Sequence, residues 1–171
     1  CFYHPDDPAE LKQEQLEKLR ALYDASRKVG RELLVEIIAG KHGPLGEDTI
    51  ARAMQEVYDT GVRPDWWKLE PQASAAVWAR VEKTILANDP WCRGVVLLGL
   101  EAPQAELEAA FAATADAAIV KGFAVGRTLF AETAPAWFAG RIGDEQAIAD
   151  MAERFEKLTG AWLAARGRKA A

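Results

Sequence analysis

The chain has 171 residues, half of them apolar, which is enough to bury one sizeable core, so we expect a single domain. Its net charge of −5 excludes a broad basic surface for nucleic acid or anionic membranes, although a local site for an anionic substrate is compatible with it. No apolar run approaches the ~18 residues of a membrane helix, and Cys1 and Cys92 form neither a metal motif nor a disulfide framework, which together predict a protein of the reducing cytoplasm.

Strands and helices alternate along the chain. Its first residues, Cys1-Phe2-Tyr3-His4, include no starting methionine and have the pattern of the last residues of a strand. This pattern predicts a fragment of a larger domain. A helix start follows, with Asp7 as the N-cap and Pro8 at the first helical position. The later predicted strands are at 32–38, 64–71, 94–100 and 117–120, the last of which runs on into residues 121–122. The predicted helices end near Gly30 and Gly61, lie at 73–87, start from Pro103 and lie at about 144–165.

The predicted strand at 64–71 carries charged residues between tryptophans. Side chains on a strand alternate between faces, so Trp66, Lys68 and Glu70 share one side. Because burial of an unpaired charge is costly, two interpretations arise. In one, Lys68 lies in a poorly hydrated pocket as a neutral amine that attacks a carbonyl group. In the other, Lys68 and Glu70 form an ion pair that closes the strand end at the surface.

Short apolar strands between helices predict βα units and a parallel sheet, either in a (β/α) barrel or in an open doubly wound sheet. Glu36, Lys68 and Lys121 are polar residues within buried strands, and a barrel lumen gathers such residues towards one centre. No GxGxxG motif follows the first complete strand to favour a dinucleotide fold. We therefore predict an α/β fold, the C-terminal part of a (β/α)8 TIM barrel, with about five parallel strands that are neighbours in chain order.

Four segments resemble a known family. They are FYHPDD at 2–7, LVEI at 34–37, DWWKLEP at 65–71 and GFAVGRT at 122–128. In this order they are similar to strands four, five, six and eight of class I, Schiff-base aldolases of the tagatose-bisphosphate aldolase type. They resemble still more the aldolase-like domain that follows a sugar kinase in bacterial 5-dehydro-2-deoxygluconokinases of myo-inositol catabolism. The resemblance implies that residues 1–171 form a single domain that lacks the N-terminal strands of such a barrel.

The resemblance also implies roles for individual residues. Lys68 corresponds to the Schiff-base lysine, which condenses with a substrate ketone. Glu36 corresponds to a strand-five glutamate that moves the hydroxyl proton, although a simple partner for a core lysine is the alternative. Gly126 and Arg127 correspond to a phosphate-binding turn. We expect Lys121 and Arg127 to lie near Lys68 and to keep its amine neutral by like-charge repulsion.

Other polar residues are candidates for the same pocket. His4 and His42 follow the first two strands and would reach one mouth, and Trp66 would line the pocket from the face of Lys68. Together with Glu36, the two histidines would also suit a zinc-dependent, class II site. We favour ordinary polar loop residues for these histidines, and we predict neither a metal nor another cofactor.

Two classes of function are compatible with these residues. One is a lyase that cleaves a phosphorylated keto-acid sugar, for which the resemblance implies 2-deoxy-5-keto-6-phosphogluconate as substrate and dihydroxyacetone phosphate and malonic semialdehyde as products. The other is a non-catalytic or regulatory domain associated with a sugar kinase in the same polypeptide, since no nucleotide-binding motif appears in the chain itself. Neither nucleic acid nor a membrane is an expected partner, and the oligomeric state, a homo-oligomer included, is left open.

Overall fold

The structure is a computed structural model that describes residues 1–99 and 102–167. Four strands and seven helices occur within these residues. In chain order they are α1 (Ala9–Lys28), β1 (Leu34–Ile37), α2 (Thr49–Asp59), β2 (Trp66–Leu69), α3 (Ala75–Asn88), β3 (Gly94–Leu98), α4 (Gln104–Ala113), β4 (Val120–Ala124), α5 (Arg127–Phe130), α6 (Thr133–Phe138) and α7 (Asp144–Ala165). None of these helices is long and apolar enough to cross a membrane.

The strands form one parallel sheet in the order β1-β2-β3-β4. A parallel bridge between Phe2 and Ile38 adds the opening segment of the chain at the β1 edge. A doubly wound sheet reverses its strand order at a switch point, whereas consecutive parallel neighbours joined by helices form part of a (β/α) barrel. The predicted α/β fold and the predicted order of the parallel strands are therefore confirmed.

The two faces of the sheet differ in burial because the strand side chains alternate. One face is covered by the apolar sides of α2, α3 and α4 and forms the core. Trp67 is fully buried there, and its indole Nε1 donates a hydrogen bond to the hydroxyl of Tyr58, 2.8 Å away on α2. The opposite face carries Glu36 and Lys68 and is only partly buried. This second face corresponds to the lumen side of a barrel.

Two local predictions were wrong. The strand predicted from 117 begins only at Val120, which pairs with Val95, and continues to Ala124, while Ala117 accepts a turn hydrogen bond from the backbone N–H of Val120. Asp7 does not cap α1, whose N-cap is Pro8 without a side-chain hydrogen bond. The strand predicted at 94–100 ends at Leu98, and residue 100 lies outside the described residues. The short helices α5 and α6 were not predicted.

Asp65 connects the start of β2 to its surroundings. Its carboxylate accepts hydrogen bonds from the Arg27 guanidinium and from the backbone N–H of Leu33, at 2.8 Å for the latter. The bond from Arg27 is the largest cause that lowers the pKa of the Asp65 carboxyl. A carboxyl with a lowered folded-state pKa stabilises the fold above its unfolded pKa, near 3.9, and this stabilisation is lost as the pH falls through the folded-state pKa.

We therefore expect Asp65→Asn to unfold with a free energy about 1–2 kcal/mol smaller than the wild type at pH 7. The difference should shrink as the pH falls from about 4 through the folded-state pKa, because the wild-type carboxyl then becomes protonated as well. Urea denaturation at pH 7 and at pH 3 measures both values. Asp24→Asn is the control, since Asp24 pairs with Arg20 within α1 at the exposed surface, and its removal should change the free energy of unfolding little. A deficit for Asp65→Asn that is the same at both pH values would contradict the role of the charge.

Candidate active site

A cavity of about 290 Å³ lies where the strands end, on the lumen side of the sheet. Glu36 and Lys68 line it from β1 and β2, and Gly126, Arg127 and Thr128 line it from the segment that follows β4. In (β/α) barrels, the carboxyl edge of the strands is the edge that holds active sites. The cavity therefore combines an amine and a carboxylate with a glycine, a guanidinium and a hydroxyl, which are groups suited to an anion, at the edge that holds active sites in barrels.

Lys68 and Glu36 form an ion pair inside this cavity. They are opposite each other in the register of the parallel strands β1 and β2, so both side chains leave the sheet on the same face. Lys68 Nζ lies 2.9 Å from Glu36 Oε1, and the side chains are 25% and 33% exposed, respectively. At this distance a proton can pass directly between the two groups, so Glu36 is both the partner of the lysine and a candidate acid–base group.

The electrostatic surroundings of Lys68 differ from those expected. Arg127 lines the same cavity. Lys121 instead lies at the amino edge of the sheet beside Gly94, where a Cβ added to Gly94 would be 2.6 Å from the Cγ of Lys121. Lys121 is exposed, its Nζ donates to the carbonyl of Ala118 at 2.7 Å, and the pairing of β3 with β4 shifts at this residue. The charged group in contact with Lys68 is thus the Glu36 carboxylate rather than Lys121.

The segment after β4 supplies the groups suited to an anion. Gly126 precedes the short helix α5, and its carbonyl accepts a hydrogen bond from Leu129 at 2.8 Å. Thr128 approaches the end of β3 so closely that a Cβ on Gly99 would be 2.5 Å from its hydroxyl oxygen, so this approach requires glycine. Backbone N–H groups, a guanidinium and a hydroxyl are typical phosphate ligands. The resemblance gave roles to Gly126 and Arg127 and included Thr128 only as part of the matching segment; the structure places all three at the cavity.

Glu70 shares the Lys68 face of the strand in sequence, but it does not pair with Lys68. Its carboxylate is only 5% exposed and accepts hydrogen bonds from the backbone N–H groups of Ala39 and Gly40, at 2.7 and 3.0 Å. The alternative of a Lys68–Glu70 surface pair is therefore not what the structure shows. Glu70 instead holds the start of the loop between β1 and α2 beside the cavity.

The remaining predicted pocket residues have other contacts. His4 is buried, its Nδ1 accepts the backbone N–H of Asp6, and its Nε2 lies 3.2 Å from the carbonyl of Pro44. Trp66 donates its indole N–H to Glu32 at 3.0 Å, at the amino end of β2, and does not line the cavity. Within residues 1–99 and 102–167, no group of three or more His, Cys, Asp or Glu side chains is placed to hold a metal ion.

His42 lies in the loop after β1 and contacts an acidic residue. Its Nδ1 is 2.8 Å from Asp7 Oδ2, and its ring stacks on Phe2 with the ring centroids 6.2 Å apart. The same Asp7 oxygen accepts the backbone N–H of His4 at 2.8 Å. The sequence indicated only that His42 follows a strand; its pairing with Asp7 depends on two loops that are far apart in the chain.

Comparison with known proteins identifies a family. Residues 1–166 match the DUF2090 family, whose description is uncharacterized proteins conserved in bacteria. Among curated proteins, none is similar enough to the chain to count as a match. The family match spans all four strands of the sheet and the cavity at their carboxyl edge. The chain therefore belongs to the DUF2090 family of bacterial proteins.

Proposed function

We propose that this protein is a class I, Schiff-base aldolase-type lyase. The observation that carries the proposal is the pair of Lys68 and Glu36, 2.9 Å apart in a cavity whose other wall is the segment Gly126–Thr128. Such a cavity offers a nucleophilic amine at the centre, an acid–base group beside it and anion ligands on one side. These are the groups needed to cleave a ketone that carries a phosphate.

The proposed chemistry begins with a proton transfer. The Glu36 carboxylate takes a proton from the Lys68 ammonium, and the free amine attacks the substrate ketone. Glu36 returns that proton to the carbinolamine hydroxyl, which leaves as water and gives an iminium ion. The Glu36 carboxylate then removes the proton of the substrate hydroxyl, so that the carbon–carbon bond breaks, an aldehyde leaves and the electron pair moves into the iminium.

The resemblance described above supports a substrate for this proposal. A phosphorylated keto-acid sugar such as 2-deoxy-5-keto-6-phosphogluconate places its phosphate at Arg127 and its ketone at Lys68. Cleavage then leaves dihydroxyacetone phosphate attached to the lysine and releases malonic semialdehyde. No cofactor is needed, because the iminium itself accepts the electrons. We place this activity in myo-inositol catabolism in the cytoplasm, with a sugar kinase as the associated domain or partner.

Borohydride reduction of the intact domain in the presence of dihydroxyacetone phosphate tests the proposal. The reagent converts the iminium into a stable secondary amine, and peptide mass mapping locates the adduct. We expect one adduct, on Lys68. An unmodified Lys68 would contradict the aldolase mechanism and favour a non-catalytic or regulatory domain associated with a sugar kinase.

Arg127→Ala is expected to weaken the binding of dihydroxyacetone phosphate far more than that of dihydroxyacetone. A charge-assisted contact contributes about 1.5–3 kcal/mol, so the phosphorylated ligand should lose roughly tenfold to hundredfold in affinity. Calorimetric titration of both ligands measures the ratio. Arg154→Ala is the matched control, since Arg154 lines a neighbouring cavity and pairs with Glu132. Equal losses for the two ligands would place Arg127 outside the phosphate site.

A further inference from the structure

Asp7 and His42 form a second pair of a carboxylate and a basic group, between the segment that precedes α1 and the loop that follows β1. The Asp7 side chain is 10% exposed, and its Oδ2 lies 2.8 Å from His42 Nδ1. Because a carboxylate only accepts hydrogen bonds, the proton of the neutral imidazole lies on Nδ1, and Nε2 is the basic nitrogen. A carboxylate in this position also stabilises the imidazolium that forms when Nε2 takes a proton. The pair is thus arranged to take up and release a proton at Nε2.

The loop that carries His42 is held at the edge of the same cavity. Glu70 accepts the N–H groups of Ala39 and Gly40, and the backbone N–H of His42 donates to the carbonyl of Ala39 at 2.9 Å. These bonds fix the loop immediately after β1. A histidine held in this way keeps one orientation, which acid–base catalysis requires.

The ring of His42 lies at the β1 edge of the sheet, whereas the segment 126–128 follows β4 at the other edge. It stacks on Phe2, and Phe2 bridges to Ile38, which lines the cavity. Across the sheet the order is the Phe2 segment, β1 with Glu36, β2 with Lys68, β3 and β4. Phe2 and Lys68 are therefore two strand spacings apart across the sheet, about 10 Å, and two residues apart along it, since Phe2 pairs with Ile38 and Lys68 with Glu36. A substrate attached to Nζ has to extend along the cavity towards Phe2 to meet His42.

We propose that His42, oriented by Asp7, moves the proton on the substrate carbon next to the iminium. The inference rests on the proposed aldolase function. Nε2 takes a proton from that carbon, the C–H electrons form the C=C bond of an enamine, and the C=N electrons move to Nζ of Lys68. In the direction of cleavage the step runs in reverse: Nε2, protonated from solvent, gives its proton to the enamine carbon after the aldehyde has left, and the nitrogen lone pair of Lys68 restores the C=N bond of the iminium. Glu36 moves the protons on oxygen and nitrogen, and His42 moves the proton on carbon.

Deuterium exchange into dihydroxyacetone phosphate in D2O tests this division. In the wild type, a hydrogen of the hydroxymethyl carbon should exchange once the iminium has formed, which proton NMR detects. His42→Gln should form the borohydride-trapped Lys68 adduct as the wild type does, but it should exchange roughly 10²- to 10⁴-fold more slowly. Added imidazole should restore exchange to His42→Gly. Lys41→Gln, an exposed neighbour in the loop, is the control that should exchange at the wild-type rate.

Each other outcome has a distinct meaning. Exchange at the wild-type rate in His42→Gln would overturn the role of His42 and leave the Schiff base of Lys68 standing. Loss of both trapping and exchange in His42→Gln would show that His42 supports the structure of the site, and it would also overturn the proposal. Absence of an adduct in the wild type would overturn the aldolase function itself, and the role of His42 with it.

Discussion

Lys68→Met is expected to abolish borohydride trapping and to lower turnover by a factor on the order of 10⁴ or more. Methionine keeps much of the bulk of the lysine side chain but cannot form an iminium, so the electron sink for bond cleavage is lost. Single-turnover assays with the phosphorylated substrate and peptide mapping after reduction measure the two effects. An adduct on another lysine, with turnover retained, would contradict the assignment of Lys68.

The same variant should fold. Glu36 is one-third exposed, so water can solvate its carboxylate when the ammonium is removed. We expect the free energy of unfolding to change by about 1 kcal/mol or less, and thermal unfolding measures this change. Lys121→Met is the matched control: it removes a strand lysine that is exposed and lies outside the cavity. It should keep both trapping and turnover, whereas a loss equal to that of Lys68→Met would show that the assay reports general damage.

Glu70→Ala is expected to destabilise the fold by about 2–4 kcal/mol. The buried Glu70 carboxylate accepts the N–H groups of Ala39 and Gly40, and its removal leaves the N–H of the fully buried Ala39 without an acceptor. For a chain of this size the midpoint of thermal unfolding should fall by roughly 5–15 °C. Activity should fall as well, because the loop that carries His42 begins at these two residues.

Glu47→Ala is the control for Glu70→Ala. Glu47 is exposed and pairs only at the surface with Arg80, 2.8 Å away, so its removal should cost well under about 1 kcal/mol. Glu70→Gln separates charge from shape, since it keeps one carbonyl oxygen as an acceptor but brings an NH₂ group towards the backbone N–H groups. We expect Glu70→Gln to be intermediate in stability. Equal stabilities of Glu70→Ala and the wild type would show that the loop is held by other contacts.

Local patterns in the sequence determined much of the fold. Apolar periodicity placed α7 at about 144–165, and the helix spans Asp144–Ala165. Short apolar runs between helices predicted parallel strands in chain order, because a crossover helix returns the chain to the same edge of the sheet. Alternation along β2 also placed Lys68 on the face opposite Trp67. Each of these inferences depends on residues that are near one another in the chain.

Tertiary structure alone decided which side chains meet. A register shift of one residue would have turned Glu36 away from Lys68, and only the pairing of β1 with β2 places them 2.9 Å apart. The shift in the pairing of β3 with β4 leaves Lys121 outside the cavity, although it lies on a predicted strand just as Lys68 does. Asp7 and His42 meet because they follow two adjacent parallel segments whose ends lie side by side. The Glu70 carboxylate accepts a hydrogen bond from Gly40, thirty residues earlier in the chain. Contacts between residues so distant in the chain depend on register and loop closure, which no local periodicity records.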